Sequence, residues 1–211
     1  ALRRAAQAGA SGALLLDAKK QTAELTDAAM LLDVGAIAKG YATELLAREL
    51  EQAGLLCFAV SSGGNIRAHG APPGTAGWRI GIQNPDEALL GEAPSLAGVV
   101  IRDGAVATSG DYQRFFIKNG KRIHHLIDPA TLWPADRCRA VTVVAADAAL
   151  ADLLSTALFV LGPDEGEPLA RQCGAAAFWV LPDGAIRCNP AMEALLMQSK
   201  TPSKRKVTAQ A

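Results

Sequence analysis

The sequence predicts an α+β fold in which mixed or antiparallel sheets pack against helices. Three observations carry that prediction. Asp103-Gly104 and Asn119-Gly120 each lie between short apolar or β-branched runs, the pattern of tight hairpins and therefore of antiparallel pairing. Two longer stretches, Ala36 to Gln52 and about Ala148 to Leu161, repeat apolar residues at helical spacing. Strand-like and helix-like segments alternate along the chain with no linker between blocks, so one domain is expected over residues 1–198. Residues 199–211, with Lys200, Lys204, Arg205 and Lys206, read as a flexible basic tail.

Taken in order, Leu14 to Leu16 followed by the polar stretch Asp17 to Gln21 reads as a strand entering a hairpin. The first helix places Ile37, Tyr41, Leu45, Leu46 and Leu50 at helical intervals, and Gly54 ends it. Cys57 to Ser61 reads as a buried strand running into the turn Ser62-Gly63-Gly64-Asn65, and Trp78 to Gln83 as a half-buried strand stopped by Asn84-Pro85-Asp86. Ala88 to Pro94 is an irregular connection. Val99 to Arg102 and Ala105 to Thr108 flank Asp103-Gly104, and Phe115 to Lys118 and Lys121 to His124 flank Asn119-Gly120. Val141 to Ala145 is a β-branched strand. The second helix turns Leu150, Leu153, Leu154, Ala157, Leu158 and Leu161 inward and stops at Gly162-Pro163, and a third hairpin spans Ala175 to Cys188 around Asp183-Gly184.

Composition narrows the function. The chain has 211 residues, half of them apolar, with 21 Lys+Arg against 21 Asp+Glu. A neutral chain lacks the single-sign field that non-specific nucleic-acid or membrane-surface binding requires. With three Trp, two Tyr and five Phe there is little material for a base-stacking platform. No apolar run reaches the roughly 18 residues of a membrane span, and the opening ALRRAAQAGASG has no signal-peptide core, so the chain reads as soluble. Cys57, Cys138, Cys173 and Cys188 form no C-x-x-C pair, which argues against a zinc knuckle or a redox dithiol.

Two loop-to-helix junctions concentrate polar residues. In Asp33 to Tyr41 (DVGAIAKGY), Asp33 and Gly35 precede a helix start whose free N–H groups suit an anion such as phosphate, with Lys39 adding a charge one turn in. The plainer alternative makes Asp33 an N-cap and Lys39 a solvated side chain. At the second junction, Asp152 and Thr156 share one face of a largely apolar helix, one turn apart. A carboxylate and a hydroxyl there suit Mg²⁺; the alternative is an exposed Asp beside a Thr bonded back to the helix. Between them lie Ser62-Gly-Gly-Asn65, Ala107 to Tyr112 and His124 to Pro129. The Gly-rich turn matches neither a P-loop nor a dinucleotide fingerprint. Of the adjacent His124 and His125, only one can face a given pocket if they lie on a strand.

Together and in this order, these segments resemble the ApbE family, the FAD:protein FMN transferases. DVGAIAKGYA is similar to the family's D-[LV]-[GS]-[GA]-I-[AG]-K-G-Y-A signature, SSGGNIRAHG to its GGN/GGD-I turn and ATSGDYQRFF to its T-S-G-x-Y segment. HLIDP resembles its H-x-I-D-P, and VTVVAADAALADLLSTALFVLG its V-T-V-x-A…A-D-x-x-S-T-x-x-F-V-L-G block. The resemblance implies an ApbE-like, T-fold-like architecture and Mg²⁺-dependent transfer of FMN from FAD to a threonine hydroxyl of a target flavoprotein, with AMP released. It implies that Asp33 and Lys39 contact FAD, that Ile127 lines the flavin site, and that the Ala36 carbonyl, Asp152 and Thr156 hold Mg²⁺. His125 is the implied base. Residues 1–198 would form an ApbE-like flavin transferase domain without the N-terminal part of the family domain.

By the same resemblance the protein is expected in the periplasm or anchored at the inner membrane, the latter only through an upstream lipid anchor. In the family's T-G-x-P element, Leu132 of Thr131-Leu132-Trp133-Pro134 replaces the turn glycine, an altered loop. Two alternatives use the same residues: Mg²⁺-dependent hydrolysis of FAD to FMN and AMP, and non-catalytic flavin binding.

Overall fold

The computed structural model describes residues 14–28, 30–85 and 95–197. The expectations for the N-terminal residues, for Ala88 to Pro94 and for the tail 199–211 lie outside these described residues. The first hairpin joins β1 (Leu14–Asp17) to β2 (Thr22–Leu25). Asp17 Oδ1 closes its turn by accepting the N–H groups of Lys19 and Lys20, both at 3.0 Å. Helix α1 (Ala38–Gln52) follows, and the chain reverses at Gly54 (φ 84°).

The fold is built on a six-stranded sheet in the order β14-β13-β12-β7-β4-β3, antiparallel at every pairing. Its strands are β3 (Phe58–Ser62), β4 (Asn65–His69), β7 (Gly104–Gly110), β12 (Ala140–Ala145), β13 (Ala176–Val180) and β14 (Ile186–Cys188). Alternation along these strands divides the core in two. Ala105, Ala107, Val141, Val143, Ala177 and Trp179 face α2 (Ala148–Gln172) on one side. Val106, Val144, Ala176, Phe178 and Val180 face the β5 (Trp78–Gln83) and β6 (Ser95–Ile101) ribbon and the short α3 (Pro190–Glu193) on the other. Two further ribbons, β8 (Phe115–Lys118) with β9 (Lys121–His124) and β10 (Ile127–Asp128) with β11 (Trp133–Pro134), complete the strand set among the described residues. No described helix is long and apolar enough to cross a membrane.

The α+β class and the antiparallel sheet are as the sequence predicts, and several local expectations are corrected. Asn119-Gly120 closes a hairpin with φ of 51° and 73°, whereas Asp103-Gly104 does not: β6 pairs with β5, and β7 pairs with β12 and β4. The chain crosses from the ribbon to the sheet there, and Asp103 Oδ1 instead accepts the Gly70 N–H at 3.0 Å. One hairpin not foreseen as such is β3–β4, closed by Gly63 (φ 55°) and Gly64 (φ 95°). β3 is an edge strand, buried only at Phe58.

Helix α1 is rotated relative to its apolar stripe, whereas α2 keeps the expected face inward except at Leu153. Helix α1 buries Gly40, Thr43, Glu44 and Ala47, while Tyr41, Leu45 and Leu46 are exposed. Helix α2 buries Ala151, Asp152, Leu154, Ser155, Leu158 and Phe159, and leaves Leu153 exposed. Gly162 (φ 73°, ψ 178°) breaks α2 without ending it, because Pro163 starts a second helical segment where a missing N–H costs nothing. Leu132 holds a left-handed φ of 60° and donates its N–H to the Asp128 carbonyl at 2.8 Å, so the turn keeps the backbone a glycine would favour. The thiols of Cys57, Cys138 and Cys173 are unpaired; burial pushes Cys138 up to about 12, while Cys57 is exposed.

Candidate active site

A cavity of about 230 Å³ opens where the approach to α1, the first turns of α2, the end of β7 and the segment after β9 meet. Asp33, Ala36, Lys39, His125, Ile127, Asp152 and Thr156, drawn from three separate stretches of sequence, all line it.

Two carboxylates tie the helices together at this point. Asp152, 4% exposed on α2, accepts the Gly40 N–H of α1 at 2.8 Å through Oδ2. Glu44 on α1 accepts the Ala148 N–H of α2 at 2.9 Å. Gly40 permits the approach, since a Cβ there would lie 2.2 Å from the Ala148 carbonyl oxygen and 2.5 Å from Asp152 Cβ. Glu44 is also held by Arg67 and Arg48. Burial alone would raise its pKa, but the Ala148 N–H and these guanidinium groups outweigh burial and hold it below the ordinary glutamate value.

Gly40 is the third residue of α1, in the first turn, where an N–H has no partner within the helix; Asp152 supplies one, and Ala36, two residues ahead of the helix, lines the cavity. Ala36, which can offer only backbone groups, thus lines one cavity with the Asp152 carboxylate and Thr156. This set of hard oxygen donors fits Mg²⁺, which takes few protein ligands and keeps water and phosphate oxygens for the rest. Among the described residues no group of three or more His, Cys, Asp and Glu offers a rival centre.

The start of α1 differs from its sequence reading. Asp33 is not the helix N-cap: Ile37 occupies that position with no side-chain bond, and Asp33 Oδ1 accepts the Gly35 N–H at 2.7 Å within the preceding turn. The Ile37 and Ala38 N–H groups go to the Val34 carbonyl. The N–H groups expected to greet an anion are thus largely used, and the positive charge comes from Lys39. Its Nζ lies 3.3 Å from the Gly35 carbonyl and 3.5 Å from Asp152 Oδ1, and its stem passes under Gly63.

The paired histidines separate cleanly. His124 is buried, stacks edge-on against Phe159, donates Nε2–H to the Ala135 carbonyl at 3.0 Å and accepts the Leu126 N–H at Nδ1. Burial lowers its pKa, so it stays neutral and structural. His125 is exposed at the cavity, with Nδ1 3.3 Å from the Arg114 carbonyl. A carbonyl only accepts, so Nδ1 carries the proton and Nε2 of the neutral ring keeps a free lone pair.

Sequence reasoning missed a cluster of hydroxyls beside Thr156. Ser109 Oγ, on the cavity wall at the end of β7, lies 2.8 Å from Ser155 Oγ and 3.1 Å from Thr156 Oγ1. The available signal was Ser155, a polar residue three positions after Asp152 on the same buried face.

Comparison with known proteins bears on this geometry. The ApbE family model matches residues 2–179. An FAD:protein FMN transferase of Treponema pallidum (strain Nichols) is 38% identical over 178 residues, covering 80% of this chain and 48% of that protein. One from Haemophilus influenzae is 36% identical over 171 residues, covering 80% and 49%. The chain spans about half the length of the curated relatives it matches. Among solved structures, the ApbE protein of Thermotoga maritima superposes with a TM-score of 0.79 at 32% identity, covering 92% of this chain and 62% of that one. The apo flavinyl transferase ApbE of Pseudomonas stutzeri gives 0.75 at 32% identity, covering 92% and 60%.

Proposed function

The chain belongs to the ApbE family, and from that premise we propose that it transfers FMN from FAD to a threonine hydroxyl of a target flavoprotein in a Mg²⁺-dependent reaction. The observation that carries this reading is the meeting, in one cavity, of Ala36, Asp152 and Thr156 with Lys39 and His125. Ala36 through its backbone carbonyl, Asp152 and Thr156 would hold Mg²⁺, which when bound supplies charge neutralisation for a pyrophosphate.

The chain's own residues do the rest. Lys39 brings a second positive charge to the phosphates, and Asp33 and Ile127 contact the dinucleotide and its flavin. The acceptor hydroxyl attacks the phosphorus on the FMN side of the pyrophosphate. The bridging P–O bond breaks, AMP departs with the bridging oxygen, and a phosphoester joins FMN to the acceptor. His125 Nε2 takes the hydroxyl proton, because the Arg114 carbonyl keeps the ring's other nitrogen protonated. The family resemblance further supports a periplasmic or inner-membrane-anchored setting.

Incubation with FAD, Mg²⁺ and an acceptor flavoprotein domain is expected to give a covalently fluorescent acceptor band that disappears with EDTA and with His125→Ala. A full-length form of the protein that gives no such band would sink the proposal. A second reading follows from the exposure of His125: water can take the place of the acceptor, yielding FMN and AMP. AMP release that is unaffected by the acceptor would favour this hydrolysis.

A further inference from the structure

We infer that Ser109 and Ser155 are positioning residues that turn the Thr156 hydroxyl proton away from the cavity, so that Thr156 meets a divalent cation with its lone pairs. This inference rests on the Mg²⁺ reading of the cavity. Counting protons fixes the direction of each bond. Each hydroxyl has one hydrogen to give. Ser155 is fully buried and donates its hydrogen to the Asp152 backbone carbonyl at 2.9 Å, which can only accept. In its 2.8 Å contact with Ser109, Ser155 must therefore accept, and Ser109 must donate. Ser109 then has no hydrogen left for Thr156, so in the 3.1 Å contact between them Thr156 donates. The chain of donation runs Thr156 to Ser109 to Ser155 to the Asp152 carbonyl, from the cavity inward.

The polarity of this relay selects what Thr156 can bind. A hydroxyl whose hydrogen is committed inward offers electron pairs outward, which matches a cation and mismatches a phosphate oxygen. The same residue links both ends of the site: the carboxylate of Asp152 faces the cavity, and its carbonyl ends the relay. Without Ser109, the Thr156 hydrogen is free to swing into the space a cation would fill. Ser109→Ala thus weakens cation binding while leaving all three oxygen ligands in place.

The test is binding of Mn²⁺ alone to the full chain, followed by loss of the free-ion electron paramagnetic resonance signal and competed with Mg²⁺. Ser109→Ala is expected to weaken binding about tenfold, Ser109→Thr to restore it, and Ser109→Ala to add nothing in a Thr156→Val background. Thermal unfolding of each variant separates lost affinity from lost fold. Unchanged affinity in Ser109→Ala, or a further loss in the Thr156→Val background, would overturn the inference alone. No Mn²⁺ uptake by the unsubstituted chain, or uptake unaffected by Asp152→Asn and Thr156→Val, would overturn the cation reading beneath it.

Discussion

Helices α1 and α2 contribute to the same cavity from opposite physical situations. Helix α2 is capped by its own residue, Asp147, whose Oδ1 accepts the Leu150 N–H at 2.8 Å, and it sinks Leu158 and Phe159 fully into the core. Helix α1 has no side-chain N-cap, and Leu45 and Leu46 are 44% and 49% exposed. What α1 lacks in burial it borrows from α2 through the Gly40–Asp152 and Ala148–Glu44 bonds. The buried helix carries the carboxylate and hydroxyl; the exposed one carries the lysine and is held in register by two carboxylates. The site's geometry is therefore only as good as that pair of ties.

The largest effect should come from the residue that serves both helices. Asp152→Asn keeps an oxygen for the Gly40 N–H but removes the charge, so flavin transfer should fall about a thousandfold, several kcal/mol of lost stabilisation, with little change in thermal unfolding. A variant that keeps activity but unfolds easily would make Asp152 a structural tie only. Next, Leu158→Ala should cost about 3–4 kcal/mol, whereas Leu45→Ala on α1 should stay within about 0.5 kcal/mol. Denaturant titration of the two checks the contrast, and equal losses would erase it.

Smaller is Glu44→Gln, which takes one partner from the buried Arg67 but leaves it Glu51. A cost of about 2 kcal/mol near neutral pH is expected, below the usual penalty for a fully stranded buried charge. Because the native state holds Glu44 below its ordinary pKa, its contribution is complete above about pH 4.5 and is lost as pH falls through the lowered native value. Stability of the Gln variant should therefore decline less steeply in acid than that of the native chain. Parallel pH profiles would mean that the charge of Glu44 plays no part in the tie.

Several of these features were legible in the residues. The four-residue spacing of Asp152 and Thr156 on a helical pattern placed them on one face, and the Asn119-Gly120 pair specified its own turn. Other features belong to the chain's long-range pairing. Asp103-Gly104 announces a reversal but does not say which strand β7 will join, and its partners lie far away in sequence. Hydrophobic periodicity located α1 but turned it the wrong way, because the buried face is set by Gly40 and Glu44 meeting α2 rather than by its leucines. The family resemblance named seven site residues; that they share one cavity needed the fold. The direction of the hydroxyl relay needed the distances themselves.

The reciprocal ties between Gly40, Asp152, Glu44 and Ala148 also couple the helices in time. Opening the first turn of either helix breaks a bond that belongs to the other, so neither end frays by itself. The Gly40 and Ala148 amides should thus exchange hydrogen for deuterium as one cooperative unit, with the half-exposed helix protected at its first turn to the depth of the buried one.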